Sequence, residues 1–173
     1  MAHEGPTTDA GGEPRYRDAP RPGDLAALRR LVAAAGVFHP QEREIALELL
    51  EERLLNGTDS GYFFVFAEAG KELVGYACWG PVPLTRSSYD LYWIAVHAGW
   101  QGRGIGRALL ALTEKAVAGR GGGRLYIETS ARDVYRRPRD FYLRAGYAEV
   151  ARLEHFYAED DPKLIYCKAI APA

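Results

Sequence analysis

A glycine-rich turn between a strand-like and a helix-like segment constrains this chain more than any other feature. The strand-like segment, residues 90–96, is rich in β-branched and aromatic residues, and the turn, residues 101–107, reads QGRGIGR. The turn opens directly into a segment with apolar residues at helical spacing, which ends at Gly119. These apolar residues are Ile105, Leu109, Leu112 and Ala116. The pattern predicts a sheet with a helix packed on it.

The first turn of this predicted helix lacks the residues that normally satisfy its free N–H groups. No Ser, Thr, Asp or Asn stands at the N-cap, and the first acidic residue after Gln101 is Glu114. Arg103 and Arg107 add positive charge one turn apart, and glycines allow a ligand to approach the backbone closely. The pattern favours a site for an external phosphate or pyrophosphate. The alternative is a glycine-rich turn that serves only tight packing.

The two commonest phosphate-binding motifs do not fit this turn. The Rossmann motif G-x-G-x-x-G/A fails in both registers, because Arg107 and Leu109 stand at its third position, and the chain contains no G-x-x-x-x-G-K-[ST]. The turn instead resembles the Q/R-x-x-G-x-G/A motif of the GNAT N-acetyltransferase superfamily, with Gln101, Gly104 and Gly106 at its defined positions. The resemblance implies that acetyl-CoA is the co-substrate. It also implies pyrophosphate contacts from Gln101, Gly102, Arg103, Gly104, Ile105, Gly106 and Arg107, and pantetheine contacts from Ile94, Ala95 and Val96.

The predicted order of elements, β α α β β β α β α β β, supports the same family. It implies the α+β acyl-CoA N-acyltransferase fold, with a mixed sheet of about six to seven strands flanked by about four helices. A second motif, residues 141–147 (FYLRAGY), resembles the family's FYxxxGF/Y segment and follows the turn at the expected separation. The resemblance extends from Tyr16 to Ile170. Residues 1–14 are predicted to be a disordered tail, and residues 15–173 a single N-acetyltransferase domain.

The resemblance implies acetyl transfer to an amine, and this chemistry has three requirements. The amine must lose a proton, because an alkyl ammonium has a pKa of about 10. The oxyanion needs preorganised N–H donors, for which the Val96 N–H is the candidate. The departing thiolate needs an acid, and Tyr142 matches the family's tyrosine acid. The structural alternative for Tyr142 is one aromatic residue of an amphipathic helix.

The general base is less defined by the sequence. Asp90 precedes the Ile94–Val96 segment at the position where several family members carry a glutamate that acts through water, although aspartate is one methylene shorter. Glu128, on the next predicted strand, is the rival candidate, and deprotonation by water with several weak acceptors is a third possibility. His97 has a suitable pKa, but it stands on the CoA side, where it is expected to pack or cap.

The acceptor site is predicted from aromatic and acidic residues near the ends of strands. Trp79, Tyr157 and Asp160 are the candidates for contacts to a cationic amine. The alternative for Asp160 is ordinary turn chemistry in the polar loop 158–163. Many family members carry an asparagine that bonds pantetheine where this chain has Tyr135, so Tyr135 is the candidate for that contact. Four arginines around it are either CoA 3′-phosphate ligands or a solvated helix start: Arg132, Arg136, Arg137 and Arg139.

Composition excludes several other classes of function. The chain has 173 residues and a formal net charge of −1, so no basic field indicates a nucleic acid or a membrane surface as partner. Four histidines without clustered metal-ligand spacing argue against a metal site. Cys78 and Cys167 are expected to be reduced thiols in a cytoplasmic protein, although their spacing leaves a disulfide open.

Two classes of function remain. The first is an acetyl-CoA-dependent N-acetyltransferase that acetylates a primary amine of a small molecule by direct attack. A second copy of the chain is a further candidate partner, and a protein or peptide N-terminus is an alternative acceptor. The second class is a non-catalytic acyl-CoA-binding sensor that uses the same turn. Tyr142 and a strand carboxylate favour the enzyme.

Overall fold

The computed structural model describes residues 12–36 and 38–173, which include one seven-stranded mixed sheet and four α-helices. Residues 1–11 of the predicted tail lie outside the described residues. The elements follow the predicted order: β1 (Arg15–Arg17), α1 (Asp24–Ala34), α2 (Pro40–Asn56), β2 (Phe63–Ala69), β3 (Glu72–Pro81), β4 (Ser88–Val96), α3 (Ile105–Gly119), β5 (Gly123–Ser130), α4 (Arg136–Arg144), β6 (Ala148–Ala158) and β7 (Asp161–Ile170).

The sheet has the order β1-β2-β3-β4-β5-β7-β6. Its neighbouring strands are antiparallel except for β4 and β5, which are parallel and connected through α3. A parallel pair requires such a crossover, because the chain must return to the same end of the sheet. β4, the glycine-rich turn and α3 therefore lie at the middle of the sheet.

Alternation along β2 divides the interior into two hydrophobic cores. Phe64 and Phe66 face α1 and α2, whereas Val65 and Ala67 face α3. All four side chains are buried. Because successive strand residues point to opposite faces, helices cover both sides of this part of the sheet.

The buried face of α3 differs from the predicted one. Ile105 and Leu109 are buried as predicted, but Leu112 and Ala116 are only partly buried, and three other residues complete the face: Leu110, Thr113 and Val117. Thr113 is polar and therefore does not belong to the apolar pattern of the sequence. Its hydroxyl donates to the Leu109 carbonyl oxygen at 3.0 Å, so it can be buried without an unpaired polar group.

Two connections are tighter than the sequence predicts. The sequence predicts a five-residue hairpin loop over residues 68–72, but β2 and β3 are joined by the two-residue turn Gly70–Lys71, with Gly70 at φ 60°. β6 and β7 are joined by Glu159–Asp160. The predicted polar loop 158–163 is therefore wrong at both ends, because Ala158 belongs to β6 and Asp161, Pro162 and Lys163 belong to β7.

Candidate active site

A gap opens between the parallel strands β4 and β5. They pair only from Ser88 and Arg124 to Leu91 and Ile127, whereas β4 stays paired with β3 as far as Val96. The separation follows a β-bulge, in which Tyr92 is the extra residue between the pairs Trp79–Leu91 and Cys78–Trp93. A bulge bends the strand and increases its local twist. The bulge therefore turns the end of β4 away from β5.

The backbone at the end of β4 directs a donor into this gap. The His97 N–H donates to the Val74 carbonyl oxygen on β3 at 2.9 Å. Since N–H groups alternate in direction along a strand, the Val96 N–H points away from β3, toward the side where β5 has separated. The geometry is compatible with the predicted oxyanion contact, which remains a prediction.

The turn after β4 has the predicted uncapped geometry. Gly104 is the N-cap of α3 with φ 82°, Gly102 has φ 77°, no side chain caps the helix, and its first turn contains no acidic residue. The left-handed conformation at both glycines is one that other residues rarely adopt. The first N–H groups of α3 lack intrahelical acceptors and are left for a ligand.

Side chains of the turn fix its position on the sheet. Gln101 Nε2 donates to the Val96 carbonyl oxygen at 3.1 Å, and His97 Nδ1 accepts from the Gly99 N–H at 3.1 Å. His97 therefore caps the short 3₁₀ helix Ala98–Trp100, as predicted. The Arg103 guanidinium lies 4.6 Å from the centre of the Trp100 ring. Gln101 thus holds the turn against β4.

The first turn of α3 contacts both β4 and α4. A Cβ added to Gly106 would lie 3.8 Å from Val96 Cγ2 and 3.8 Å from Phe141 Cζ. The two predicted motifs, which are far apart in sequence, therefore meet at this point. Tyr142 follows Phe141 on α4 and is brought to the same region.

Tyr142 is 7% exposed and lies among aromatic rings. Its ring centre is 5.4 Å from that of Phe141, 6.3 Å from that of Tyr147 and 6.2 Å from that of Tyr166. Burial raises the pKa of Tyr142 well above its ordinary value of 10.0, because a phenolate would be desolvated. The hydroxyl therefore remains protonated at neutral pH.

A cavity of about 990 Å³ adjoins the gap. It lies between α2, the separated ends of β4 and β5, the start of α4 and the β6–β7 hairpin. Six residues predicted from separate parts of the sequence line it: Asp90, Ile94, Glu128, Tyr135, Tyr142 and Tyr157. The structure brings these residues together, and their individual roles remain predictions.

Two predicted substrate residues are not brought to this cavity. Trp79 is 2% exposed and packs 4.9 Å from Phe63 and 5.9 Å from Tyr89, on the α3 side of the sheet. Asp160 is exposed in the β6–β7 turn, and its neighbour Asp161 lines the cavity instead. Asp161 is 7% exposed and accepts a hydrogen bond from Ser130 Oγ at 2.5 Å.

Four carboxylates line the cavity, and three of them are already engaged. Glu42 accepts from the His39 N–H at 2.7 Å, Glu128 forms an ion pair with Lys163, and Asp161 accepts from Ser130. The Asp90 carboxylate has neither a hydrogen bond nor an ion pair among the described residues. Burial, and then the charge of Glu128, raise the pKa of Asp90 from 3.8. Asp90 is thus the cavity carboxylate most available to accept a proton.

The predicted arginine cluster divides into two parts. Arg139 donates to the carbonyl oxygens of Ser130 and Arg132 at 3.0 and 2.7 Å, and so holds the segment between β5 and α4. Arg132, Arg136 and Arg137 are exposed, and Arg132 lines the cavity.

Residues 12–36 and 38–173 contain no group of three or more His, Cys, Asp or Glu side chains placed to hold a metal ion. No helix in this part of the chain is long and apolar enough to cross a bilayer. Cys78 and Cys167 are free thiols.

Comparison with known proteins identifies the family of this chain. Residues 25–147 match the family model described as the acetyltransferase (GNAT) family. The chain belongs to this family, as predicted, and acetyl transfer from acetyl-CoA is the reaction class of the family.

Individual relatives agree with this assignment. A crystal structure from Desulfovibrio desulfuricans, assigned as a GNAT-family acetyltransferase, is 44% identical with a TM-score of 0.90, covering 91% of this chain and 99% of that one. An aminoglycoside 6′-acetyltransferase of type Ii is 26% identical with a TM-score of 0.74, covering 92% and 99%. The mycothiol acetyltransferase of Streptomyces bingchenggensis (strain BCW-1) is 36% identical over 102 residues, 58% of this chain. The match spans only 33% of that curated relative's length.

Proposed function

We propose that this protein transfers the acetyl group of acetyl-CoA to a primary amine of a small cationic molecule. The observation that carries the proposal is the cavity itself. The separated end of β4 and Tyr142, where the thioester would lie, line one part of the cavity. Four carboxylates and several aromatic rings line the same cavity. A cavity of this size accommodates a small molecule.

The donor site is built from the uncapped start of α3. Its free N–H groups, together with Arg103 and Arg107, would hold the pyrophosphate of acetyl-CoA. Ile94, Ala95 and Val96 would run beside the pantetheine in the gap between β4 and β5, and Tyr135 would contact it from the opposite wall. The Val96 N–H would donate to the carbonyl oxygen of the thioester.

The acceptor site is acidic and aromatic. Four carboxylates line the cavity, and Arg132 is the only lysine or arginine among its described lining residues. These carboxylates affect the pKa values of two neighbouring tyrosines. Burial is the largest cause that raises the pKa of Tyr157 and that of Tyr135. The charges of Glu128 and Asp161 raise the pKa of Tyr157 further, and the charge of Glu42 raises that of Tyr135 further. Aromatic rings and carboxylates together favour an ammonium group. Aminoglycosides are one class of cationic amine, and one similar structure is an aminoglycoside 6′-acetyltransferase.

Asp90 and Tyr142 handle the protons of the reaction. Asp90 accepts, through water, the proton that the substrate ammonium must lose, and passes it to solvent. The neutral nitrogen then forms a C–N bond with the thioester carbonyl carbon, and the C–S bond breaks with its electron pair on sulfur. Tyr142 donates its proton to that sulfur. A second proton, lost by the acetylated nitrogen, replaces the one that Tyr142 gave.

The proposal is tested by measuring CoA release with a panel of matched amines. Cadaverine and n-pentylamine differ by one ammonium group at equal chain length. We expect kcat/KM for the diamine to exceed that for the monoamine by at least about tenfold, because a charge-assisted hydrogen bond contributes about 1.5–3 kcal/mol. Equal values would contradict the cationic acceptor. Binding of CoA without acetylation of any amine would instead favour the sensor.

Replacement of Asp90 by asparagine tests the base. We expect Asp90→Asn to lower kcat/KM by about 100-fold, near the low end for a general base because the proton transfer runs through water. In the native enzyme kcat/KM should rise with pH through the raised pKa of Asp90, and this acidic limb should disappear in the variant. Loss of the limb in Glu128→Gln, with the limb retained in Asp90→Asn, would identify Glu128 as the base.

Asp90→Asn should lower the activity but raise the stability of the fold at neutral pH. The pKa of Asp90 is higher in the folded state than in the unfolded state, so the protonated side chain contributes stability to the fold. This contribution is fully present below the unfolded-state pKa, and it is lost as the pH rises through the folded-state pKa. At neutral pH the ionised Asp90 therefore destabilises the fold. Asp90→Asn should raise the Tm at pH 7, and this gain should vanish at low pH.

A further inference from the structure

A second cavity lies beside α3, away from the candidate active site. Its volume is about 560 Å³, and it shares no lining residue with the first cavity. Its apolar wall consists of Phe63, Trp79, Leu112 and Ala116. Phe63 and Trp79 pack against each other, with ring centres 4.9 Å apart. The cavity thus offers an aromatic surface that the proposed reaction does not use.

Three cationic residues border this aromatic surface: Arg53 in the last turn of α2, Lys115 in α3, and Arg120 directly after α3. The two guanidinium groups approach the same ring, since the Arg53 Cζ lies 5.1 Å and the Arg120 Cζ 3.9 Å from the centre of Phe63. Arg120 also lies 5.5 Å from the centre of the Trp79 ring. Positive charge and an aromatic surface therefore occur together.

Arg53 and Arg120 lack the carboxylate partners that a nearby arginine has. Arg17 lines the same cavity and forms ion pairs with Asp24 at 2.6 Å and Glu68 at 2.9 Å. Neither Arg53 nor Arg120 has a carboxylate within 4.0 Å among residues 12–36 and 38–173. Arg53 Nη1 is buried from solvent and has no hydrogen-bond partner in the same part of the chain. Burial, and then the charge of Arg120, lower the pKa of Arg53, and the charge of Asp18, which also lines the cavity, acts in the opposite direction.

We propose that this cavity binds a small organic anion, whose carboxylate lies between Arg53 and Arg120 and whose apolar body lies against Phe63 and Leu112. Two guanidinium groups near one ring repel each other when no carboxylate accompanies them, and a bound carboxylate supplies the missing counter-charge. Helix dipoles offer a purely structural explanation, because cations near helix C-termini are stabilising. That explanation predicts the opposite effect of removing the charge.

Benzoate serves as the probe, and thermal unfolding of the full chain is the measurement. We expect benzoate to raise the Tm of the native protein by several degrees, because a ligand that binds only the folded state stabilises it. Arg53→Met keeps an unbranched apolar side chain and removes the unpaired charge. It should raise the Tm without benzoate and no longer respond to benzoate. Arg30→Met is the matched control, since Arg30 is exposed on α1 outside the cavity, and it should respond like the native protein.

Three outcomes would overturn the proposal. Benzoate could leave the Tm of the native protein unchanged. Arg53→Met could keep the native response to benzoate, which would place the probe elsewhere. Arg53→Met could lower the Tm, as the dipole explanation predicts. Because these readouts do not involve acetylation, failure here leaves the proposed reaction unaffected.

Discussion

Tyr142→Phe is expected to lower kcat by about 1,000-fold and to leave the Kd for acetyl-CoA almost unchanged. The phenyl ring keeps the contacts with Phe141, Tyr147 and Tyr166, so the helix and its packing are preserved. Only the hydroxyl is lost, and with it the proton for the departing sulfur. The thiolate must then leave without an acid beside it, and the effect should therefore appear in the chemical step.

Tyr166→Phe is the matched control for this experiment. Tyr166 is also buried, its ring adjoins that of Tyr142, and its hydroxyl makes a 3.5 Å contact with Glu149 outside the cavity. Its kcat should stay within about twofold of the native value. Stopped-flow measurement of CoA release separates chemistry from binding. A Tyr142→Phe variant with native kcat would show that another group, or solvent, protonates the sulfur.

The features predicted correctly from the sequence are local ones. The uncapped start of α3 is visible because caps, acids and glycines act within one helical turn. The element order can be predicted because hydrophobic residues recur at different spacings in helices and in strands, and because local residues mark where each element begins and ends. Gly104 and Gly102 could be singled out because the left-handed conformations found there favour glycine.

The side of the sheet on which Trp79 lies could not be predicted because β3 is buried on both faces. Seven consecutive residues of this strand, 74–80, are buried, so hydrophobicity does not indicate which face a given side chain occupies. Trp79 lies on the α3 side of the sheet together with Ala77, whereas Tyr76 and Cys78 lie on the other side. Since a shift of one residue moves a side chain to the other face, an uninterrupted apolar run leaves the side of Trp79 open.

The buried position of Asp161 could not be predicted because it depends on a distant contact. In the sequence it stands in an acidic, turn-like segment before a proline. In the structure the turn is only two residues long, and β7 begins at Asp161, whose carboxylate meets Ser130, 31 residues earlier in the chain. A contact between two strands that are neighbours only in space has no local pattern. Cavities are built largely from such contacts, and for this reason the acceptor site is less predictable than the donor turn.

Gly104→Val is expected to raise the Kd for acetyl-CoA by at least about 100-fold, since it removes two or more charge-assisted contacts of about 1.5–3 kcal/mol each. Gly104 has φ 82°, and a β-branched residue there must change the backbone conformation. The first N–H groups of α3 would then no longer point at the diphosphate. A Cβ at Gly104 meets no protein atom within 4 Å, so the valine side chain would project from the turn into the space from which the ligand approaches.

Gly70→Val separates loss of the ligand from backbone strain. Gly70 also has a left-handed φ, 60°, with nothing within 4 Å of an added Cβ, and it lies in the β2–β3 turn, outside the glycine-rich turn 101–107. Both variants should lose a similar amount of stability, about 1–2 kcal/mol, because both hold a valine in the left-handed region. Only Gly104→Val should lose acetyl-CoA binding in calorimetry. If the Kd of Gly104→Val is native, the start of α3 does not bind the diphosphate, and the positions inferred from it for the thioester, Tyr142 and Asp90 are wrong as well.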